Sequence, residues 1–398
     1  MQQPPSPPSQ STRIVVLLVL FSAFTIFLKL PSLAFPHDEP DEVVYWSVAQ
    51  NLLEHGDYTL RGAEILKRLS PAIYDRPLFH HPPLYPILLT PFVALDAKPA
   101  AVMISWFGHL LCLLSVGIVG WTLLARGEGS GETLWLLLLG VATDPLLTLV
   151  SRKLWIDGLL AGLVAVGLAL VWAALVSRRR RLLLVSAGVV LGLAGLAKLP
   201  GLLAAPVAAM LVWTGGRSRR ERARDLLLVA VPCALLVLPW LLVFRATYGT
   251  FTPAWVRPDA WAIRHYPFLA IAVGRPWYYY AAKLAIADPV ALAGLALLLR
   301  RPRALNPASF AAPVWLLLWL VAYTIQSVGG HGFLMRYVAP AVPALYATLA
   351  FAPEPGRFAR PMIALAILYG AIESAVYLLS EHFDELFSFP ELANLVRF

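Results

Sequence analysis

Four carboxylates fall within five positions early in an otherwise apolar chain: Asp38, Glu39, Asp41 and Glu42. A charge at the edge of a bilayer is costly unless it faces water, a cation or a substrate. The cluster is therefore either a reactive group or a solvated acidic loop. Asp157 lies far downstream in SRKLWID, five residues after Arg152. Lys198 sits in AKLPG, and Arg336 and Tyr337 close GGHGFLMRY. In this reading Arg152 reaches a phosphate while Asp157 points into a cavity, and Arg336 suits two-pronged binding of a phosphate. The competing reading is a capping Asp157 with Arg152 and Lys198 snorkelling to the interface, and Arg336 an interfacial anchor beside Tyr337. His80, His81 and His331 add polar groups able to hydrogen-bond a substrate. Adjacent histidines splay apart, and no closed metal-ligand set is visible.

Composition fixes the setting. Of 398 residues 59% are hydrophobic and 14% charged, against about 25% charged in a soluble protein. The chain is a polytopic membrane protein. The net charge of +9 sits in short connectors, which is topology rather than a nucleic-acid footprint. Both cysteines, Cys112 and Cys233, lie inside apolar runs and read as core residues. There is no P-loop, Rossmann fingerprint, GxSxG elbow or HExxH.

The elements that must position these groups follow from hydropathy and punctuation. Residues 1–13 read as a disordered cytoplasmic tail, 14–380 as a membrane domain and 381–398 as a short acidic outer tail. Within the membrane domain, 36–100 is the first outer loop. After Pro40, Val44, Val48 and Leu52 recur every four residues, and Tyr45, Ala49 and Leu53 do the same one step around. Ser47, Gln50, Asn51 and Glu54 take the other side, and Gly56 stops the helix. This amphipathic helix is too short and polar to span, so it lies on the membrane surface. HHPPLYP begins a second short interfacial or re-entrant helix, because Pro82 and Pro83 stop a helix running through. With about 20 apolar residues per crossing, the chain makes about eleven spans, including pieces at 134–149, 155–176, 226–244, 285–299 and 338–352. Residues 143–157 read as a charged turn, and two half-length helices break at Lys198–Gly201. RPWYYY, with Trp277 to Tyr280, reads mainly as an interfacial aromatic belt. The arginine clusters after 177, 216 and 299 fall on one side, the cytoplasmic one by the positive-inside rule. Every loop with unusual chemistry falls on the other.

These motifs together resemble the polytopic GT-C glycosyltransferases, in particular the branch of the protein O-mannosyltransferases and the aminoarabinose transferases of lipid A. The resemblance rests on Asp41, Glu42, Tyr45, Ala49, Leu53, Gly56 and Asp57 in the first outer segment. It continues through Pro82, Pro83 and Leu84, then Arg152 and Asp157, Lys198 beside a helix break, and Arg336, Tyr337 and Pro340. His80 and His81 depart from it, since the family often carries charge before that proline pair.

The resemblance implies an all-α GT-C-like bundle in the plasma membrane with its active site on the extracytoplasmic side. It also implies a polyprenyl-phosphate-linked sugar as donor and a lipid, glycan or protein as acceptor. On this reading Asp41, Glu42 and Asp157 are catalytic, with Asp41 the base and Asp38 and Glu39 competitors for that role. Arg152, Lys198, Arg336 and Tyr337 bind the donor phosphate, while Asp38, His80, His81 and His331 contact substrate. A divalent ion, if one is used, falls to Asp41 and Asp157. A polyprenyl-lipid flippase and a non-catalytic envelope assembly protein are the alternatives.

Overall fold

The structure is a computed structural model that describes residues 10–62, 77, 81–127, 131–215, 218–249, 251, 276–290, 310–328, 334–351 and 359–379. Every element among the described residues is helical, as expected where no water is present to satisfy an open backbone. In chain order they are α1 (Gln10–Lys29), α2 (Pro40–His55), α3 (Leu84–Ala94), α4 (Met103–Ala125), α5 (Gly131–Ala142), α6 (Pro145–Ser151) and α7 (Ile156–Ala174). Then come α8 (Arg180–Ala197), α9 (Ala204–Thr214), α10 (Arg219–Tyr248), α11 (Tyr279–Ala287), α12 (Ala311–Val328), α13 (Val342–Phe351) and α14 (Ala359–Leu379).

Among the described residues seven helices are long and apolar enough to cross a membrane, and eight if α5 and α6, bent by 41°, count as one broken span. The expected eleven is not reached by this measure. At 1.5 Å per residue, α9 with 11 residues and α13 with 10 span only about 15–17 Å of a core of about 30 Å. The expected piece at 285–299 lies mostly outside the described residues, as does the tail from 381. α1 begins at Gln10, inside the stretch expected as the N-terminal tail. The stretch 143–157 is not one turn: α6 occupies 145–151, and only 152–155 turn before α7 begins.

α7 is the centre of the bundle, with 94% of its apolar window buried. Glycines let it come close to α4. A Cβ added at Gly108 would fall on the Gly158 carbonyl, and one at Gly162 on the Gly108 carbonyl. Small residues are how helices gain contact in lipid, where apolar surface alone gives no preference for protein over lipid. Asp157 opens α7 and Lys198 follows the last residue of α8. The arginines at 178–181 lie at the other end of both helices. The charged site residues and the basic connectors therefore occupy opposite ends of the bundle.

Candidate active site

α2 forms where the spacing predicts it. Its N-cap, Glu39, makes a capping box with Glu42, and Gly56 ends it with φ +68°. Adjacent residues on a helix point about 100° apart, so the acidic pair divides. Glu42 turns inward and is fully buried. It takes the Leu154 backbone N–H at 2.7 Å and lies 2.8 Å from His37 Nδ1, and its other oxygen takes the Glu39 N–H at 3.2 Å. It clamps α2 to the turn that precedes Asp157. The expected polar side of α2 is also partly inside. Asn51 is buried and donates to the carbonyls of Thr59, at 3.0 Å, and Arg61, at 2.8 Å.

Asp41 turns the other way and meets Arg336, which reaches it from the 3-10 segment Met335–Ala341. Arg336 Nε lies 3.8 Å from Asp157 Oδ2, and Lys198 Nζ donates to Asp157 Oδ1 at 2.8 Å. Four charged groups separated by up to 295 positions thus form one chain: Asp41, Arg336, Asp157, Lys198. Aromatic faces floor it. Arg336 stacks 4.3 Å over the Trp155 ring, and Lys198 sits 4.5 Å over Tyr337. Tyr45 packs edge-on against His81 and Tyr85, at 5.3 and 5.1 Å.

Exposure separates the two aspartates. The Asp157 side chain is 3% exposed and held by cations on both oxygens, whereas Asp41 keeps 45% of its side chain open. Desolvation pushes the Asp41 carboxyl up, but the Arg336 charge, with Lys198 behind it, outweighs that and holds it below the usual carboxylate range. Burial opposes the Arg336 charge, and Asp41, Tyr337 and Asp157 more than restore it, so its pKa is raised. Burial pushes His81 down to about 4 despite Asp41 beside it, so its ring is neutral at pH 7. Arg336 Nε is buried with no hydrogen-bond acceptor among the described residues.

Other expected residues lie elsewhere. Arg152 is fully buried. Its Nη1 donates to the Tyr377 carbonyl at 2.5 Å, and the guanidinium stacks over Phe35 and Tyr377. The structure does not bring it to the Asp41–Asp157 group. Residues 152–155 form a turn, so Arg152 and Asp157 do not share a helix. Lys153, which sequence reasoning passed over, pairs with Glu39 and lies 5.8 Å over Trp155, the ring beneath Arg336. Asp38 is exposed, and His80 and His331 lie outside the described residues. Trp277 is 74% exposed, as a belt residue would be. Tyr279 and Tyr280 are buried instead, and Tyr280 leads through Tyr323 to Tyr337 at ring distances of 6.3 and 5.5 Å. Among the described residues no three histidine, cysteine or acidic side chains gather to hold a metal ion. Arg336 fills the place between Asp41 and Asp157, so this arrangement does not fit a divalent ion there.

The helical bundle has the fold of the GT-C membrane glycosyltransferases, as comparison with solved structures shows. The crystal structure of ArnT from Cupriavidus metallidurans in the apo state superposes with a TM-score of 0.62 at 20% identity, covering 90% of this chain and 64% of that one. ArnT bound to undecaprenyl phosphate gives 0.62 at 19%, covering 88% and 63%. The Archaeoglobus fulgidus oligosaccharyltransferase in the apo form gives 0.53 at 15%, covering 92% and 56%. The chain thus spans less than two thirds of the length of these proteins. No curated protein sequence matches it. Residues 16–253 match the dolichyl-phosphate-mannose-protein mannosyltransferases, and the chain belongs to that family of GT-C glycosyltransferases.

Proposed function

We propose that the protein transfers a sugar from a polyprenyl-phosphate donor to a hydroxyl acceptor at the extracytoplasmic face of the plasma membrane, with inversion. The observation that carries this reading is the contrast between an open Asp41 and a closed Asp157, joined through Arg336 and flanked by Lys198. The lipid phosphate leaves as an anion and needs positive charge rather than a general acid. Arg336 and Lys198 supply that charge from aromatic floors that fix their positions. The acceptor oxygen attacks the anomeric carbon, the bond from that carbon to the phosphate oxygen breaks with its electron pair, and the hydroxyl proton passes to Asp41. Asp157 keeps the two cations aligned and faces the cationic character that develops at the anomeric carbon.

The arrangement also couples binding to base strength. In the resting site Arg336 holds Asp41 too acidic to be a good base. A donor phosphate that draws the guanidinium away removes the largest opposing charge, and Asp41 becomes more basic as the substrate arrives. The structural neighbour ArnT, solved with undecaprenyl phosphate bound, supports the donor class. The positive-inside orientation supports the face.

The test is release of free polyprenyl phosphate when purified protein is incubated with a polyprenyl-phosphate sugar and a mixture of envelope acceptors. Wild type is expected to release it and Asp41→Asn to release none while remaining folded in detergent. Movement of intact donor across a vesicle bilayer without release would instead make the protein a lipid-carrier transporter.

A further inference from the structure

Each of the two cations in the candidate site rests on an aromatic face, and the two faces are held differently. Arg336 lies 4.3 Å over Trp155, which is buried and immediately precedes α7, so the centre of the bundle fixes that ring. Lys198 lies 4.5 Å over Tyr337. Tyr337 belongs to the short 3-10 segment Met335–Ala341 and is only half-buried. Burial alone does not fix its ring. A second ring does: Tyr323, from α12, stacks on it with centroids 5.5 Å apart and 20° between the planes.

Tyr323 is buried and is itself backed. The Tyr280 ring from α11, fully buried, meets it edge-on at 6.3 Å, and Tyr279 meets Tyr280 edge-on at 5.3 Å. α11, α12 and the Met335–Ala341 segment pack against one another. Tyrosines from three separate elements thus form a column that starts in RPWYYY and ends beneath Lys198. Leucine or isoleucine would fill the same space in a membrane protein. Rings in near-parallel contact do something more, because each fixes the plane of the next.

Lys198 is the group that needs such a floor. It follows the last residue of α8, at the break before the 3-10 segment Leu199–Leu203, and its backbone is extended, with φ −152° and ψ 131°. Its ammonium is a point charge on a flexible four-carbon stem, which loses rotamer freedom when held in one place. Asp157 Oδ1 accepts one of its N–H groups at 2.8 Å. A single hydrogen bond leaves the stem free to swing about the carboxylate. The Tyr337 face gives the second point of attachment, because the attraction is strong only while the cation lies over the ring. A tilt of Tyr337 therefore moves the charge.

We infer that Tyr323 is a positioning residue of the phosphate site: through Tyr337 it sets where the Lys198 ammonium stands, with Tyr280 as its backing. The inference rests on the reading of Lys198 as a ligand of the donor phosphate. The column acts through Lys198 and largely spares Arg336, whose nearer ring is Trp155, at 4.3 Å against 5.6 Å for Tyr337.

The experiment has two arms, both on the full chain in detergent. The first is equilibrium titration of a fluorescent polyprenyl phosphate into wild type, Tyr323→Leu, Tyr323→Phe, Lys198→Ala and Arg336→Ala, and into Tyr323→Leu combined with each cation variant. Tyr323→Leu is expected to bind about fivefold more weakly than wild type, and Tyr323→Phe, which keeps the ring, about as tightly. On Lys198→Ala the same Leu change is expected to cost less than about twofold, whereas on Arg336→Ala it keeps its full effect. With Lys198→Ala itself weakened, a Tyr323→Leu that binds like wild type, or that loses as much without Lys198 as with it, overturns the inference. Tyr280→Leu, one ring further from the lysine, is expected to show the same pattern with a smaller loss, and it decides the matter if Tyr323→Leu does not fold. The second arm needs no donor. The chain has six lysines, so carbon-13 labelling at lysine Cε gives few NMR signals, and the Lys198 signal is the one lost in Lys198→Arg. The Tyr337 ring current is expected to move its Hε protons upfield in wild type and Tyr323→Phe, and less in Tyr323→Leu. The same shift in all three overturns the positioning. Binding untouched by Lys198→Ala, with the shift still moved by Tyr323→Leu, would sink the phosphate role of Lys198 and leave the positioning standing.

Discussion

Arg336→Ala removes the cation shared by Asp41 and Asp157, and the structure sets the size of the effect. The Arg336 side chain is 9% exposed, so the pairs it makes are largely out of water. Breaking a fully buried pair costs about 3–5 kcal/mol. Here Asp41 is 45% exposed and Asp157 retains Lys198, which places the stability loss at the low end of that range, about 3 kcal/mol. The loss in rate is a separate matter, because the guanidinium also faces the place where the leaving phosphate gains charge. Removing one preorganised donor of this kind lowers kcat by about 10²–10³-fold. The pH profile carries the most specific signature. Asp41 has a depressed pKa, so its base form persists above that low value and is lost only as pH falls through it. Without Arg336 the largest opposing charge is gone, the pKa rises, and the acid limb moves to higher pH. Arg336→Lys keeps the charge but cannot face both carboxylates, so it recovers only part of the rate. The assay is polyprenyl phosphate release against pH for the three proteins, at substrate concentrations that saturate wild type. Unchanged turnover in Arg336→Ala, or an acid limb that stays put, would refute the reasoning.

Three further outcomes follow from the same geometry. Glu42→Ala removes a buried carboxylate from three hydrogen bonds, to His37, to the Glu39 N–H and to the Leu154 N–H, the last of which joins α2 to the turn before Asp157. Charge-assisted bonds of this kind are worth about 1.5–3 kcal/mol each, so the unfolding midpoint in detergent should fall sharply, and a midpoint equal to wild type would remove the clamp. Arg152→Lys is expected to lower that midpoint while leaving donor KM near wild type, because Arg152 serves the Tyr377 carbonyl rather than the site; a large rise in KM with stability intact would return it to phosphate binding. Gly162→Leu places a side chain against the α4 backbone at Gly108 and should abolish monodisperse protein in size-exclusion chromatography.

Much of the site was legible because its members sit at punctuation. Gly56, the double proline at 82–83 and the break at 198–201 mark helix ends, and helix ends are where Asp41, Lys198 and Asp157 stand. What could not be read was direction. Asp41 and Glu42 are neighbours in sequence, and the helical step of about 100° sends one to the site and the other into the clamp. Arg152 and Lys153 diverge in the same way, and only the turn geometry decides which faces Glu39. The span count could not be read to a single number, because hydropathy registers a short apolar helix without saying whether it crosses.

The central claim is that Arg336 and Lys198 hold a lipid phosphate while Asp41 competes for Arg336 in its absence. Equilibrium titration of a fluorescent polyprenyl phosphate into wild type, Arg336→Ala, Lys198→Ala and Asp41→Asn tests it directly. The account expects binding to wild type, a loss of tenfold or more, about 1.4 kcal/mol, in each cation variant, and binding to Asp41→Asn at least as tight as wild type. Weaker binding in Asp41→Asn, or unchanged binding in both cation variants, would contradict it.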